Sequence, residues 1–343
     1  RTLLGETAGV DWAAFGQGDG TAHRLEGVDL IDEIGHGDRT GQFELTGPFV
    51  CLAGEPLFPA PAFLLGKKKE MARLDLGAPV RTDLGTVRLP ATDAGAGFKP
   101  LEDTWLTRDG LVAVLAGGVP GEEQVKTASA LYAGEERLGI AQNNATRTAS
   151  DGMLYQTRHL RLQAGVGVLA GIAGVDPRLH PEASRVRFGG EGRLASVSVR
   201  DGAPRLPEAP ASGEAHGLLL TLLTDADLTE GQGADWLPPG FEEALDDGVR
   251  VWRGEIAGVG LTIHGAVLGK ARREGGWDLV HHRPRAVRSL VPAGSAWYAV
   301  PDGPVAQAVA ALHGARIGAG TALGRGQLAA GVWSAAELNN ESA

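Results

Sequence analysis

Asp201 to Gly213 reads "DGAPRLPEAPASG", with three prolines and almost no large apolar side chain. Each proline fixes φ and removes a backbone donor, so neither a helix nor an inner strand can run through this stretch. It reads as an extended connector at 201–213 that divides the 343 residues into two parts of common domain size, 1–200 and 214–343.

The second part is the more regular. "GLLLTLLT" (217–224) is the densest apolar run in the chain and suits one buried strand. "PPGFEEALDD" (238–247) starts with proline and predicts a short helix. "VRVWRGEIAGVGLTIHGAVLG" (249–269) reads as strand material broken at Gly258, and "RAVRSLVPAGSAWYAV" (285–300) supplies another strand region. In "DGPVAQAVAALHGARIG", Pro304 suits a first helical turn, Val305, Val309 and Leu312 line one face, and Gly314 is placed to end the helix. "RGQLAAGVW" predicts a last strand. The order is β-α-β-β-α-β, the ferredoxin-like pattern also used by RNA-recognition domains.

The first part is more ragged. Arg1–Glu6 reads as the end of a helix, and the Gly-rich, acidic stretch 11–42 as an insertion. "FELTGPFVCLAG" (43–54) is strand-like; Thr107 caps a helix through Leu111 and Leu115; "EEQVKTASALY" (122–132) predicts another helix. "GMLYQTRHLRL" (152–162) and "RLASVSVRD" (193–201) predict strands, the latter with small and apolar residues alternating. No opening strand precedes Arg1. Each part also carries one Gly-x-Gly piece before its last strand, "GEGRLAS" (190–196) and "GRGQLAA" (324–330), which predicts one loop used twice.

Composition narrows the function. Hydrophobic residues make up 43% and charged residues 22%, enough for a core, and no run approaches the roughly 18 apolar residues of a membrane helix. Cys51 is alone, which excludes a disulfide framework and a multi-cysteine zinc site and fits a reducing cytoplasm. No signal peptide is visible, and the absence of an initial Met suggests a fragment. The net charge of −10 argues against promiscuous nucleic-acid binding yet permits a local basic groove. Of the 32 basic residues six are Lys, so Arg dominates, as a GC-rich genome alone would produce.

Catalytic motifs are thin. Gly318-Ala319-Gly320-Thr321-Ala322-Leu323-Gly324 nearly matches a dinucleotide loop, but it follows a helix and precedes a strand, the reverse of the required order. "GAVLGKA" (265–271) has the wrong spacing for a P-loop, no His-Glu-x-x-His exists, and Ser295 in "AGSAW" lacks the second glycine of a nucleophile elbow. His281 and His282 are adjacent and face opposite ways on a strand. These observations imply neither cofactor nor metal. Basic clusters remain. Residues 137–161 carry four Arg against Asp151, and 270–288 carry six basic residues against Glu274 and Asp278. The first cluster holds "QNNATRTASDGMLY", where amides and hydroxyls can read base edges and Met153 and Tyr155 can wedge or stack; an ordinary polar surface hairpin fits equally well.

The ordered pieces "GPFVCLAGEPLFPAPAFLL" (47–65), "WLTRDGLVAVLAG" (105–117), "EERLGIAQNNATRTASDGMLYQTRHLRL" (135–162), "VRFGGEGRLASV" (186–197) and "ALGRGQLAAGVW" (322–333) resemble the RAMP subunit of type III-B (Cmr) CRISPR effector complexes that holds the 5′ handle of the guide RNA. The resemblance implies an α+β chain of two tandem ferredoxin-like (RRM-like) domains, the first without its opening strand and with a thumb-like hairpin near 139–156. It implies a non-catalytic, cytoplasmic, antiviral scaffold without cofactor or metal. Its partners would be guide RNA (crRNA), the large polymerase-like subunit, neighbouring backbone RAMP subunits and the small subunit, with no membrane. RNA contacts are expected from Arg137, Asn143, Arg147, Thr148, Met153, Tyr155 and Arg158 on the hairpin. They are expected also from Gly189, Gly190, Gly192 and Arg193 in the first Gly-rich loop, and from Gly318, Gly320, Gly324 and Arg325 in the second. Arg283 and Arg285 come from the second basic cluster. The alternatives are a repeat-processing RAMP endoribonuclease, with His281 or His282 as acid/base, the equivalent subunit of a type III-A (Csm) complex, or a pure protein scaffold.

Overall fold

A computed structural model of the chain describes residues 10–11, 15, 24–35, 40–83, 85–179, 184–190, 192–202, 204–213, 215–229, 236–278 and 282–333. The helix end expected at 1–6 lies outside them. Of the acidic stretch, a short helix α1 (Leu30–Ile34) is described, capped by the Asp29 carboxylate, which accepts from the Ile31 N–H at 2.9 Å. Leu30 and Ile34 pack with Phe15, Val28 and Leu179 in a satellite core.

Strand β1 (Glu44–Leu52) follows as expected, then β2 (Thr104–Leu106) and helix α2 (Arg108–Leu115). Thr107 caps α2 by accepting from the Gly110 N–H at 3.3 Å, and Leu111, Val114 and Leu115 form its buried face. The helix expected at 122–132 is instead a 3₁₀ turn (Glu122–Gln124), a strand (Val125–Thr127) paired to β2, and a single helical turn α3 (Ala128–Leu131). Pairing with Thr104–Leu106 draws Val125–Thr127 into a ladder, and tertiary pairing here overrides helix propensity. Strands β3 (Tyr132–Asn143) and β4 (Thr148–Leu162) form a long two-stranded hairpin. β5 (Val166–Ala173) returns to pair with β1, and β6 (Ser184–Arg187) pairs with β7 (Leu194–Val197) in a second, short hairpin.

Over the described residues 204–213 the proline-rich stretch carries neither helix nor strand, and it is docked. The Arg108 guanidinium donates to the carbonyls of Arg205 at 2.6 Å and Leu206 at 3.2 Å, and Leu206 packs against a core of Phe49, Phe58, Leu111, Leu115, Leu223 and Ala329. His313 Nε2 donates to the Pro207 carbonyl at 2.9 Å while its Nδ1 accepts from the Ala330 N–H at 3.3 Å, a pair of roles that selects the neutral Nε2–H tautomer.

Beyond the connector run β8 (Gly217–Leu222), β9 (Glu242–Asp246), β10 (Val249–Ile256), β11 (Val259–Val267), β12 (Arg272–Glu274), β13 (Trp277–Asp278), β14 (Arg283–Pro284), β15 (Arg288–Leu290), β16 (Ala296–Pro301), helix α4 (Val305–Leu312) and β17 (Leu328–Trp333). Six of these strands make one antiparallel sheet in the order β9-β10-β11-β16-β8-β17. The helix expected at 238–247 is strand β9. Asp247 and Gly248 both take positive φ, +48° and +78°, the two-residue turn that joins antiparallel strands, so the "DG" of this segment closes a hairpin with β10.

The central strands are buried on both faces, which accounts for the unbroken run "GLLLTLL". Leu218, Leu220, Trp297, Ala299, Leu328, Ala330 and Val332 face α4. The alternate residues Leu219, Ala296, Tyr298 and Trp333 join Phe63, Leu64, Leu106 and Val114 of the first part. A Cβ on Gly331 would lie 3.0 Å from the Leu115 backbone, so α2 sits directly on β17. The Tyr298 hydroxyl donates to the Leu74 carbonyl, and burial raises its pKa above the usual phenol value. Fully burying side chains of this size contributes roughly 2 kcal/mol each. The two parts of the chain thus share one core.

Candidate nucleic-acid interface

The β3–β4 hairpin springs from α3, and along most of its length neither face is covered. Register assigns its side chains. Glu135 faces His159, Arg137 faces Thr157 and Gly139 faces Tyr155 on one face; Glu136 faces Arg158, Leu138 faces Gln156 and Ile140 faces Leu154 on the other. The first face is cationic and aromatic. Glu135 accepts from Arg137 at 2.7 Å and from Arg161 at 3.0 Å, and these two hydrogen bonds, Arg137 first, pull its carboxyl down to about 2. The Tyr155 ring lies across Gly139, where a Cβ would come within 2.2 Å of the ring. That close approach is the physical reason for glycine in the "ERLGI" segment. Met153 falls in the irregularity between the pairs Ile140–Leu154 and Gln142–Ala149, and Met153 and Tyr155 are each more than half exposed.

The second face carries the exposed apolar residues Leu138, Ile140 and Leu154. Arg158 belongs here, apart from Arg137, with its Nε 3.3 Å from Glu136 and its guanidinium over Gly134. At the tip, Asn143 Oδ1 accepts from the Ala145 and Thr146 N–H groups at 2.9 and 3.3 Å, and its carbonyl accepts from Arg147 N–H at 2.7 Å. Arg147 takes φ +57°, and the Thr146 and Thr148 hydroxyls lie 2.8 Å apart. The polar atoms of Asn143 and Thr148 therefore shape the turn, while the Arg147 side chain stays exposed.

The first Gly-rich loop reaches this hairpin. Arg193 Nε donates to His159 Nδ1 at 2.9 Å, on the face of Arg137 and Tyr155. Gly189 and Gly192 take φ +98° and +68° in the β6–β7 turn, and nothing lies within 4 Å of a Cβ placed at Gly189, Gly190 or Gly192. Around the second loop the space is filled by the chain itself. A Cβ on Gly318 would lie 2.2 Å from the Asp227 carbonyl, on Gly324 2.0 Å from the Gly47 carbonyl, and on Gly320 3.2 Å from Arg325 Cδ. The Arg325 side chain, 19% exposed, donates to Glu274 and lies 4.0 Å from Asp227 Oδ2. In this second loop the close approach that requires glycine is therefore to protein.

Arg283 and Arg285 lie on or beside β14, a separate element from the hairpin; His281 is outside the described residues and His282 takes φ +50° in the preceding turn. The structure thus places Arg137, Tyr155 and Arg193 on one face of the hairpin, with Met153 in the irregular segment beside it. It adds three residues not singled out from the sequence: Glu135, His159 and Arg161. Period-two alternation marks Arg161, His159 and Tyr155 as one face, but only the register places Arg137 and Glu135 opposite them. Among the described residues no group of three or more His, Cys, Asp or Glu is arranged to hold a metal, and no helix is long and apolar enough to cross a membrane.

Fold and hairpin define an α+β protein that presents paired cations and an aromatic ring on an open ladder. The chain belongs to the CRISPR-associated protein family Cas_Cmr3, whose model matches residues 1–333. No curated protein matches it. Among solved structures it is similar to a chain of the type III-B Cmr-beta complex bound to cognate target RNA and AMPPnP, determined by cryo-EM. Identity is 17% with a TM-score of 0.42, covering 75% of this chain and 67% of that one. A second likeness is to a chain of Cmr-beta bound to cognate target RNA, at 16% identity and TM-score 0.42, covering 74% of this chain and 64% of that one. The chain spans about two thirds of the length of those two.

Proposed function

We propose that this chain is a non-catalytic subunit of a type III-B CRISPR effector complex that binds and caps the 5′ handle of the guide RNA. The observation that carries this reading is the exposed face of the β3–β4 hairpin. The Tyr155 ring approaches Gly139 beside the Arg137–Glu135–Arg161 cluster, and Arg193 of the open Gly-rich loop donates to His159 on the same face. Guanidiniums hold phosphates and a flat aromatic stacks an unpaired base, so such a face suits single-stranded RNA. Membership of the Cas_Cmr3 family supports the complex. The large subunit, the neighbouring RAMP subunits and the small subunit are the partners this reading supplies.

The sheet order β17-β8-β16-β11 supports a ferredoxin-like reading of residues 214–343, because the fourth, first, third and second strands of a β-α-β-β-α-β unit lie in that order; among the described residues, strand β9 stands where the first helix of such a unit would be. The same reading of residues 1–200 rests on the resemblance alone. Binding of guide RNA with its native handle, compared with a scrambled 5′ end across a salt series, tests the function. Tighter binding of the native handle is expected; equal affinity at every salt concentration overturns handle recognition.

A further inference from the structure

Between β11 and β16 the chain leaves the main sheet as an arm, in which β12 pairs with β15 and β13 with β14. One set of its charges is spent on anchorage. Arg272 Nη1 lies 3.2 Å from Asp225 Oδ2, Arg288 Nη1 donates to Asp227 Oδ2 at 2.7 Å, and Glu274 accepts from Arg325. Burial pushes the Asp227 carboxyl up, but hydrogen bonds from Thr229 and Arg288 outweigh it and hold the group below the usual carboxylate range. Leu290, opposite Arg272, is buried.

Among the described residues a second set of charges has no such use, with Asp278 standing opposite Arg283 in the β13–β14 ladder. Lys270, Arg273, Arg283 and Arg285 are exposed, and no ion pair between described residues engages them. Trp277, 53% exposed, is paired with Pro284 next to Arg283 and Arg285. On a chain of net charge −10, this concentrates unspent guanidiniums and an open indole on one short element. The charge complements a polyanion, and an indole needs a flat, unstacked partner; a base of a single strand supplies one where a closed duplex does not.

We infer that the arm Arg272–Leu290 is a second single-stranded RNA-binding element, in which Trp277 stacks on a base while Arg273, Arg283 and Arg285 hold phosphates. Arg325 acts through the arm, as an anchor. The inference rests on the proposed function only in taking the polyanion to be RNA, and it concerns a segment other than the handle.

The test uses the full chain and a fluorescein-labelled twelve-nucleotide oligoadenylate without any handle (about 12 nucleotides covers the site sizes usual for such elements). Replacing Arg273, Arg283 and Arg285 together by Gln is expected to weaken binding at least ~10-fold and to flatten the slope of log affinity against log salt by about 2, as loss of three single-strand phosphate contacts requires. Trp277→Ala is expected to weaken binding ~10-fold with the slope unchanged, and Trp277→Phe to restore most of it. All these positions are exposed, so thermal midpoints should match the parent. Parental affinity and slope in the triple variant overturn the inference, as does normal oligoadenylate binding with loss of assembly onto partner proteins, which would make the arm a protein-docking surface. A failure of handle recognition is read separately, with scrambled 5′ ends, and leaves this assay intact.

Discussion

Residues 188–193 and 318–327 are both rich in glycine, and both lead into a strand, β7 and β17. Around the first loop the added Cβ atoms at Gly189, Gly190 and Gly192 meet nothing; around the second, those at Gly318, Gly324 and Gly326 would strike carbonyl oxygens at 1.9 to 2.2 Å. Arg193 reaches a neighbouring hairpin from an exposed turn, whereas Arg325 is mostly buried against acidic partners. Similar sequence therefore serves two ends. One loop leaves its backbone in open space, and the other lets three backbone segments of the protein meet. Glycine content alone does not tell these uses apart, because a missing Cβ makes room for whatever comes closest.

The comparison breaks most readily at Gly324. Its φ of +83° and the Gly47 carbonyl at 2.0 Å predict that Gly324→Ala destabilises by about 3 kcal/mol, read as a lowered thermal midpoint. A midpoint within error of the parent would show that the second loop is as open as the first. Asp227→Ala comes next, at about 2 kcal/mol, because it leaves Arg288 and Arg325 without their buried carboxylate; denaturant unfolding measures it. Tyr155→Ala should weaken guide-RNA binding ~10-fold with little change in stability, since its side chain is 53% exposed. Retained affinity would remove Tyr155 from the interface. Gly190→Ala should alter stability by less than ~0.5 kcal/mol yet reduce RNA affinity if backbone approaches there; a stability loss comparable to that of Gly324→Ala refutes the contrast. The smallest effect is at Glu135. Its carboxyl titrates near 2 in the folded protein and near 4.3 when unfolded, so its clamp on Arg137 and Arg161 is fully present above pH 5 and is lost as pH falls through about 2. Carboxyl resonances followed by NMR in an acid titration should show this, and a midpoint near 4 would mean the clamp is absent.

Much of the second part was legible. The two-sided burial of "GLLLTLL", the helix after Pro304 and the strand "LAAGVW" all follow from local pattern, as do the Thr107 cap and the strand at 43–54. The misreadings at 122–132 and 238–247 share a cause. Glu, Ala and Leu carry helix propensity, and what overrode it was pairing with Thr104–Leu106 in one case and the Asp247-Gly248 turn in the other. Of the candidate interface, residue types and approximate location were readable in 135–162. Which side chains share a face was not, because one step of register moves every side chain to the opposite surface.

By itself the sequence determined that the chain is mixed α+β, carries a proline-rich stretch at 201–213, concentrates arginine near 137–161 and 270–288, and matches one family over residues 1–333. Only the tertiary structure decided that the connector is strapped down and that both parts share a core through α2 and β17. It also decided that Arg137, Tyr155 and Arg193 converge while Arg325 is withdrawn. Local pattern specifies backbone conformation over a few residues; which groups meet across long separations depends on how whole faces are buried, and that is settled by packing.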